Sequence, residues 1–490
     1  MPAHVRDLFN PDQWGLPAPA VERLGDDLRA FWKRFRGRFR TRTRDTSEQA
    51  YWYWRGQLTM EDARNYTNIE RRLGQGDGQN LQQFMSDSPW SKQAVCDQIQ
   101  DEIGAQPALQ HGGLLILDES SDETAGEESA GAGRQHNGRL GKIELSVTAV
   151  ALTYAHPASG TWVLVDGELF LQEQWFTEAY AERRQKVGLP PARTFATKPE
   201  LGWQLIRRAQ ARGLPFELVA CDDLYGRSRE FRASLEAAQI QYVAEVPSTT
   251  QVYLQCPKVG VPRRRHARGK SPSRLQVLSR LAAHEVQALA RSRATEWQRV
   301  AVRPTERGQL VADFSVRSVW TVTAHMQVRR EWLVIRRDDD GRLTYMLLNA
   351  PETTSAATLI ERSCWRYFTE RAYHATRAKS ELGWADLQAR KYRAWEHHLA
   401  LTAAATWFVA GVKLEWRDAY PRDPELARQF DLEVLPALST ANVRELLQAI
   451  LPLPQLTPER ARHVVATHLV NRARSTASRL KIQHFHEDSG

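Results

Sequence analysis

The sequence predicts a mixed α/β chain: a central sheet, a β-rich segment inserted into it, and helical regions on either side. Three observations predict this. Short apolar runs end at Asp118 and Asp222 and read as buried strands. Alternating stretches at 143–154 and 162–171 read as two further strands between them. Apolar residues at three- and four-residue spacing before residue 105, and again beyond Glu370, read as helices.

At 490 residues the chain exceeds one ordinary core, so two to four structural units are expected. With 26% charged and 42% hydrophobic residues, it has a soluble, globular composition and not a disordered one. A net charge of +9 favours a polyanionic partner, although many basic proteins bind no nucleic acid. Cys96, Cys221, Cys256 and Cys364 form no CxxC pair, which argues against a zinc site or disulfide framework and fits a reducing cytoplasm. The N-terminus has no apolar leader segment, and the longest apolar stretch, 399–412, is too short to span a bilayer. No membrane partner is expected.

Residues 20–105 read as helices. They hold the densest basic run, Lys33, Arg34, Arg36, Arg38, Arg40, Arg42 and Arg44, interleaved with Phe31, Trp32, Phe35 and Phe39. Such a run is either a solvated helix face or a set of phosphate contacts, and the alternation of arginines favours phosphate. Gly74, Gly76 and Gly78 follow a helix, so they form a turn and not a nucleotide-binding loop.

The run 114–117 then delivers Asp118, and an acidic, glycine-rich loop is expected at 120–133. After the two alternating strands comes a helix over 200–212, stopped by Gly213. A strand at 216–221 delivers Asp222, a helix spans 228–238, and a strand at 241–246 ends at Pro247. A three-strand meander followed by helix, strand, helix and strand is the element order of an RNase H-like core. In that order the first and fourth strands are neighbours, so Asp118 and Asp222 should meet.

The segment 251–352 reads as a β-rich insertion. It opens with a basic loop containing Arg263, Arg264 and Arg265, either an ordinary surface loop or, as its arginine density favours, a DNA contact. Asp338-Asp339-Asp340-Gly341 reads as a hairpin turn. The expected organisation is a helical DNA-binding region at 1–108, a first part of the core at 109–250, the insertion at 251–352, a glutamate helix and its successor at 353–416, and a helical region at 417–490.

Asp118, Asp222 and Glu370 form the candidate catalytic set. Two strand-end aspartates and a helix glutamate supply the hard oxygen ligands that two divalent cations need for phosphodiester chemistry. Arg366, Glu370, Tyr373 and Arg377 follow i, i+4, i+7, i+11 spacing and share one helix face. A salt-bridged surface face is the alternative for that helix, and a lone strand-end aspartate is usually a cap. The order Asp, Asp, Glu on these elements favours the joint reading. Glu119 and Asp223 should point away from the site, and Glu361 and Glu381 read as surface charges. The stretch 138–143 is too short for a P-loop and lacks Ser or Thr after Lys142; His397 and His398 read as packing residues.

Several motifs resemble one family. They are Ile116-Leu117-Asp118-Glu119-Ser120; Gly133-Arg134-Gln135 with Gly141-Lys142; Thr197-Lys198-Pro199-Glu200; and Asp222-Asp223-Leu224-Tyr225-Gly226. Thr369-Glu370-Arg371-Ala372-Tyr373, Lys379-Ser380-Glu381-Leu382-Gly383 and Trp395-Glu396-His397-His398-Leu399 belong with them, as do Leu81-Gln82-Gln83-Phe84 and 86–90. Together they resemble DDE-superfamily endonucleases of the bacterial insertion-sequence transposases, in particular the insertion-sequence 701 group. Two departures stand out: Asp122, Glu123, Glu127 and Glu128 occupy a loop where the family carries lysines, and the interval from Glu370 to Lys379 is two residues longer than usual.

The resemblance implies an RNase H-like fold with a β insertion, Mg²⁺ dependence with Mn²⁺ as a substitute, and recognition of terminal inverted repeats. It implies that Asp118, Asp222 and Glu370 are both catalytic and metal-binding, with Asp118 shared by two cations. Water would hydrolyse a phosphodiester at the transposon end, and the freed 3′-hydroxyl would attack target DNA. Arg366, Arg377 and Lys379 would hold the scissile strand, and the Arg34–Arg40 segment the terminal repeat, with Arg134, Lys142 and Arg263–Arg265 as further DNA contacts. Synapsis of two ends implies a homodimer on double-stranded DNA, in the bacterial cytoplasm at the nucleoid. Trp320 or Trp332 could stack on a displaced base, although core packing is the commoner role. Two rival readings remain: a transposase-derived DNA-binding protein without cleavage, and a metal-dependent endonuclease without strand transfer.

Overall fold

The computed structural model describes residues 10–124, 126–137, 141–262, 273–305, 308–365, 381–387, 389–431, 435 and 437–454, with scattered positions between 457 and 477. Ten strands form one mixed sheet: β1 (Leu114–Glu123), β2 (Gly133–Asn137), β3 (Lys142–His156), β4 (Thr161–Phe170), β5 (Leu218–Cys221), β6 (Gln241–Glu245), β7 (Gln298–Thr305), β8 (Gly308–Val322), β9 (Val328–Arg337) and β10 (Leu343–Leu348). Their order is β7-β8-β9-β10-β6-β5-β1-β3, with β2 and β4 sharing the outer edge of β3. β1 is antiparallel to β3 and parallel to β5, and β5 is parallel to β6. On its other edge β6 takes β10 antiparallel, so the strands of 298–348 continue the central sheet.

Helices cover the sheet and build a second layer. The N-terminal helices α1 (Ala18–Phe35), α2 (Ser47–Thr59) and α3 (Lys92–Gly104) pack around the long α5 (Tyr392–Ala419), while α4 (Lys198–Ala211) lies against β1, β3 and β4. α4 starts sharply because Thr197 and Glu200 form a capping box and Pro199 sits in the first turn. It also sits close to the sheet. A Cβ on Gly202 would fall 2.3 Å from Leu117 Cδ2, so any larger residue would lift the helix off β1.

The 28-residue α5 is buried nearly all round. Trp54 Nε1 donates to Leu401 O at 3.0 Å and Trp407 Nε1 to Glu102 at 2.7 Å, which joins the N-terminal helices and α5 into one core. No described helix is long and apolar enough to cross a membrane.

Two features of the sheet differ from the sequence expectation. The polar run Ser120–Glu123, expected in a loop, is the second half of β1 and pairs with Ser146–Ala149 of β3. The fifteen-residue β3 supplies partners for every rung, and Ser121 Oγ meets Thr148 Oγ1 at 2.8 Å. Asp118 therefore lies mid-strand. β2 was not foreseen, because five mostly polar residues carry no apolar alternation. The turn expected at 338–341 does join β9 to β10, with Gly341 at φ 83°. Trp332 is half-buried, and its Nε1 donates to Pro351 O at 3.3 Å.

The two adjacent histidines are buried packing residues, each tied to the N-terminal helices or their connections. His397 stacks on Trp90 with centroids 3.6 Å apart. Burial pushes its ring down to about 3, against the carbonyls of Trp90 and Met85, which favour the protonated form. His398 has one nitrogen at the Tyr53 hydroxyl (2.8 Å) and the other at Trp384 O (3.0 Å), a pattern that suits the neutral ring. Burial pushes it down to about 4 from 6.5.

The unfolded chain thus binds a proton that the folded His398 does not. Stability should be intact above pH 6.5 and fall as the pH drops toward 4. Denaturant unfolding at pH 7.5 and pH 5 checks this, and a His398→Asn variant should show a flatter pH dependence than the parent.

Candidate active site

The site is built on one rung of the sheet. Leu117 of β1 pairs with Cys221 of β5, and the next rung carries Asp118 and Asp222. Adjacent strands run about 4.8 Å apart, so the two carboxylates share a face as close neighbours. On that face Asp118 opposes Ala151 of β3, which opposes Gly167 of β4, so only small residues continue the row. Asp118 is 4% exposed, and its Oδ1 accepts the Glu119 N–H at 2.8 Å.

Asp222 ends β5 and caps the short helix Asp223–Gly226, its Oδ1 accepting N–H groups of Leu224 (3.0 Å) and Tyr225 (3.4 Å). That helix presses on β6. A Cβ on Gly226 would fall 1.8 Å from Glu245 O, so glycine is what allows Asp222 to be pinned there.

Strand alternation sends Glu119 to the opposite face, as expected. It shares a row with Val150 and Glu168 and pairs with Lys198, the first residue of α4. The Lys198 ammonium lies 5.3 Å over the Phe170 ring. Asp223 is also turned away, toward Arg227 at 2.8 Å.

The same face holds a buried ionic cluster that the sequence reading missed. Asp166, fully buried on β4, meets Lys92 of α3 at 3.0 Å and Arg208 of α4 at 2.9 Å. Glu168 meets the same two residues at 3.3 and 2.8 Å. Its sequence signal was two acids in an otherwise apolar strand, Val165-Asp166-Gly167-Glu168-Leu169.

The predicted DNA-binding residues are dispersed. Phe31, Trp32, Phe35 and Phe39 point inward and the interleaved basic residues outward. Each of the four arginines already has a protein acceptor: Arg34 grips Glu102 through two 3.2 Å bonds, Arg38 donates to Gln98 at 2.8 Å, and Arg36 and Arg40 share Asp45 at 3.1 and 3.0 Å. The Ser47 hydroxyl first, then these two guanidinium groups, hold the Asp45 carboxyl well below its usual range.

Arg134 is exposed on β2, on the Asp118 side, opposite Leu145. That is six residues along β3 from Ala151, or about 20 Å at strand rise. Lys142 is exposed on the other side and pairs with Glu144 at 2.5 Å. Glu370, Arg366, Arg377, Lys379, Arg263, Arg264 and Arg265 lie outside the described residues.

A cleft of about 990 Å³ opens further along β1, lined by Asp122, Glu123, Tyr66, Arg390, Lys391 and Trp395 among others. Asp122 lies on the Asp118 face, about 13 Å along the strand. Among the described residues no three His, Cys, Asp or Glu side chains gather as a metal site. The pair Asp118–Asp222 nonetheless suits Mg²⁺ or Mn²⁺, since it offers hard oxygen donors on one rung and small residues beside them.

Paired carboxylates on adjacent strands mark a class of proteins equipped for cation-assisted phosphodiester chemistry. Comparison with known proteins gives the family. The chain belongs to the DDE superfamily endonucleases, whose family model matches residues 34–309 of its 490. It is 25% identical over 328 residues to a probable transposase for insertion sequence element IS701 from Microchaete diplosiphon, spanning 66% of this chain and 72% of that protein. Among solved structures it is similar to a piggyBac transposase synaptic complex with hairpin DNA, at a TM-score of 0.34 and 12% identity, over 91% of this chain and 84% of that one.

Proposed function

We propose that the protein is a DNA transposase that cuts and joins DNA at Asp118, Asp222 and Glu370, on an RNase H-like core. The observation that carries this reading is the rung of β1 and β5 holding Asp118 beside Asp222. The strand order β4-β3-β1-β5-β6, with β1 antiparallel to β3 and parallel to β5, supports the RNase H-like core. In this reading 1–108 is the DNA-binding region, 109–250 and 353–416 form the core, 251–352 is the insertion, and 417–490 is a helical C-terminal region.

Asp118, Asp222 and Glu370 would hold Mg²⁺, or Mn²⁺ in its place. When bound, the cations activate the attacking oxygen and offset charge on the leaving one. The chain's own contribution is placement. The β1–β5 ladder and the Asp222 cap hold the two aspartates on one rung. Arg134, Lys142, Arg263–Arg265, Arg366, Arg377 and Lys379 are assigned to the DNA backbone. Arg34, Arg36, Arg38 and Arg40 would exchange their present acceptors for phosphates of the terminal repeat. A homodimer would bring two ends together with target DNA.

The test is incubation with Mg²⁺ and labelled DNA carrying the element's own end, beside a Glu370→Gln variant. Cleavage that disappears in the variant, with a joined product from the 3′-hydroxyl end, is expected. Cleavage without joined product would reduce the protein to an endonuclease. Binding without cleavage under Mg²⁺ and Mn²⁺ alike would leave a DNA-binding protein, a reading that the acidic Asp122 and Glu123 on the Asp118 strand would then explain.

A further inference from the structure

The hydroxyl of Tyr225 stands out among the groups around the acidic rung. Tyr225 is 0% exposed, and among the described residues its hydroxyl has no hydrogen-bond partner. A buried hydroxyl without a partner costs stability, so its retention calls for an explanation.

Its position suggests one. Tyr225 lies three residues after Asp222, and its own N–H donates to Asp222 Oδ1. Its ring packs where Gly202 of α4 leaves room, 3.2 Å from the site of a Cβ there and next to Leu117. Three carboxylates act on the phenol: Glu119 most strongly, then Asp222 and Asp118. Burial first, and these carboxylates after it, hold the phenol well above its usual range, so it keeps its proton and can only lend it in a hydrogen bond.

We propose that Tyr225 is a positioning residue for the cation site: its buried O–H is the donor that braces the bordering carboxylates when a divalent cation binds at Asp118 and Asp222. This rests on the reading of those aspartates as cation ligands. Hydrogen bonds from groups behind the ligands orient them and raise affinity, commonly by about 10- to 100-fold.

The test compares full-length parent, Tyr225→Phe and Asp118→Asn proteins. Mn²⁺ binding is measured directly by titration, and melting is measured without metal. Tyr225→Phe removes one oxygen and keeps the ring. The expected result is weaker Mn²⁺ binding by about 10-fold, with an unchanged or higher melting temperature in the metal-free protein. Unchanged Mn²⁺ affinity would overturn the proposal. A lower metal-free melting temperature in step with weaker binding would also overturn it, since it would show a role in packing alone. Failure of the cation reading looks different: parent and Asp118→Asn would then bind Mn²⁺ equally, or neither would bind.

Discussion

Asp118→Asn is expected to lower DNA cleavage by about 10³-fold or more while leaving DNA binding in place. The substitution keeps the side-chain shape and an oxygen for the Glu119 N–H, so the local fold of β1 should survive. What disappears is a negative charge on a residue 4% exposed, next to Asp222 on the same rung. Losing several kcal/mol of cation-supplied charge stabilisation converts to that factor, at about 1.4 kcal/mol per tenfold change in rate. Asp222→Asn should behave alike, because asparagine still caps the helix that follows. Single-turnover cleavage beside a mobility-shift assay separates chemistry from binding. Equal loss of both would move Asp118 out of the chemistry and into the fold.

Lys92→Met should cost about 3–5 kcal/mol of stability, the usual effect of breaking a buried ion pair from one side. Lys92 is 7% exposed; its ammonium donates to Gly167 O at 2.7 Å and reaches Asp166 and Glu168 at 3.0 and 3.3 Å. Burial works against the Asp166 carboxylate, yet Lys92 and Arg208 hold it below its ordinary value. Without Lys92, the two acids keep Arg208, while Arg193 stands 3.7 Å from Glu168 alone.

Urea unfolding gives the measurement. A Lys92→Met/Asp166→Asn double variant should recover part of the loss, since it removes the uncompensated charge along with its partner. The cluster also matters to the site. It ties α3 and α4 to β4 around Gly167, which lies in the row that begins at Asp118.

The framework of the site was legible because it is written in local pattern. Leu114–Leu117 and Leu218–Cys221 are apolar runs, each followed at once by an aspartate, and the segment between β5 and β6 has helical spacing. Strand–helix–strand units close in few ways, so the meeting of Asp118 and Asp222 could be anticipated from the order of elements. Thr197 and Glu200 announced the start of α4 in the same manner.

Other features had no local signal. Ser120–Glu123 reads as an acidic loop and becomes strand only because β3 runs alongside it. Nothing near Arg34 in the sequence points to Glu102, and nothing near Lys92 points to Asp166 and Glu168 some seventy residues on.

By itself, then, the sequence determined which segments are strands and helices, and which acids end the two strands of the site. Those properties follow from hydrogen-bond period and side-chain alternation within a few residues. Only the tertiary structure decided which charges are held by protein partners, how far β1 extends, and that Tyr225 is buried beside the acidic rung. Each of these depends on atoms from distant segments excluding water from the same place, and the strength of a charge or hydroxyl interaction is set by that exclusion.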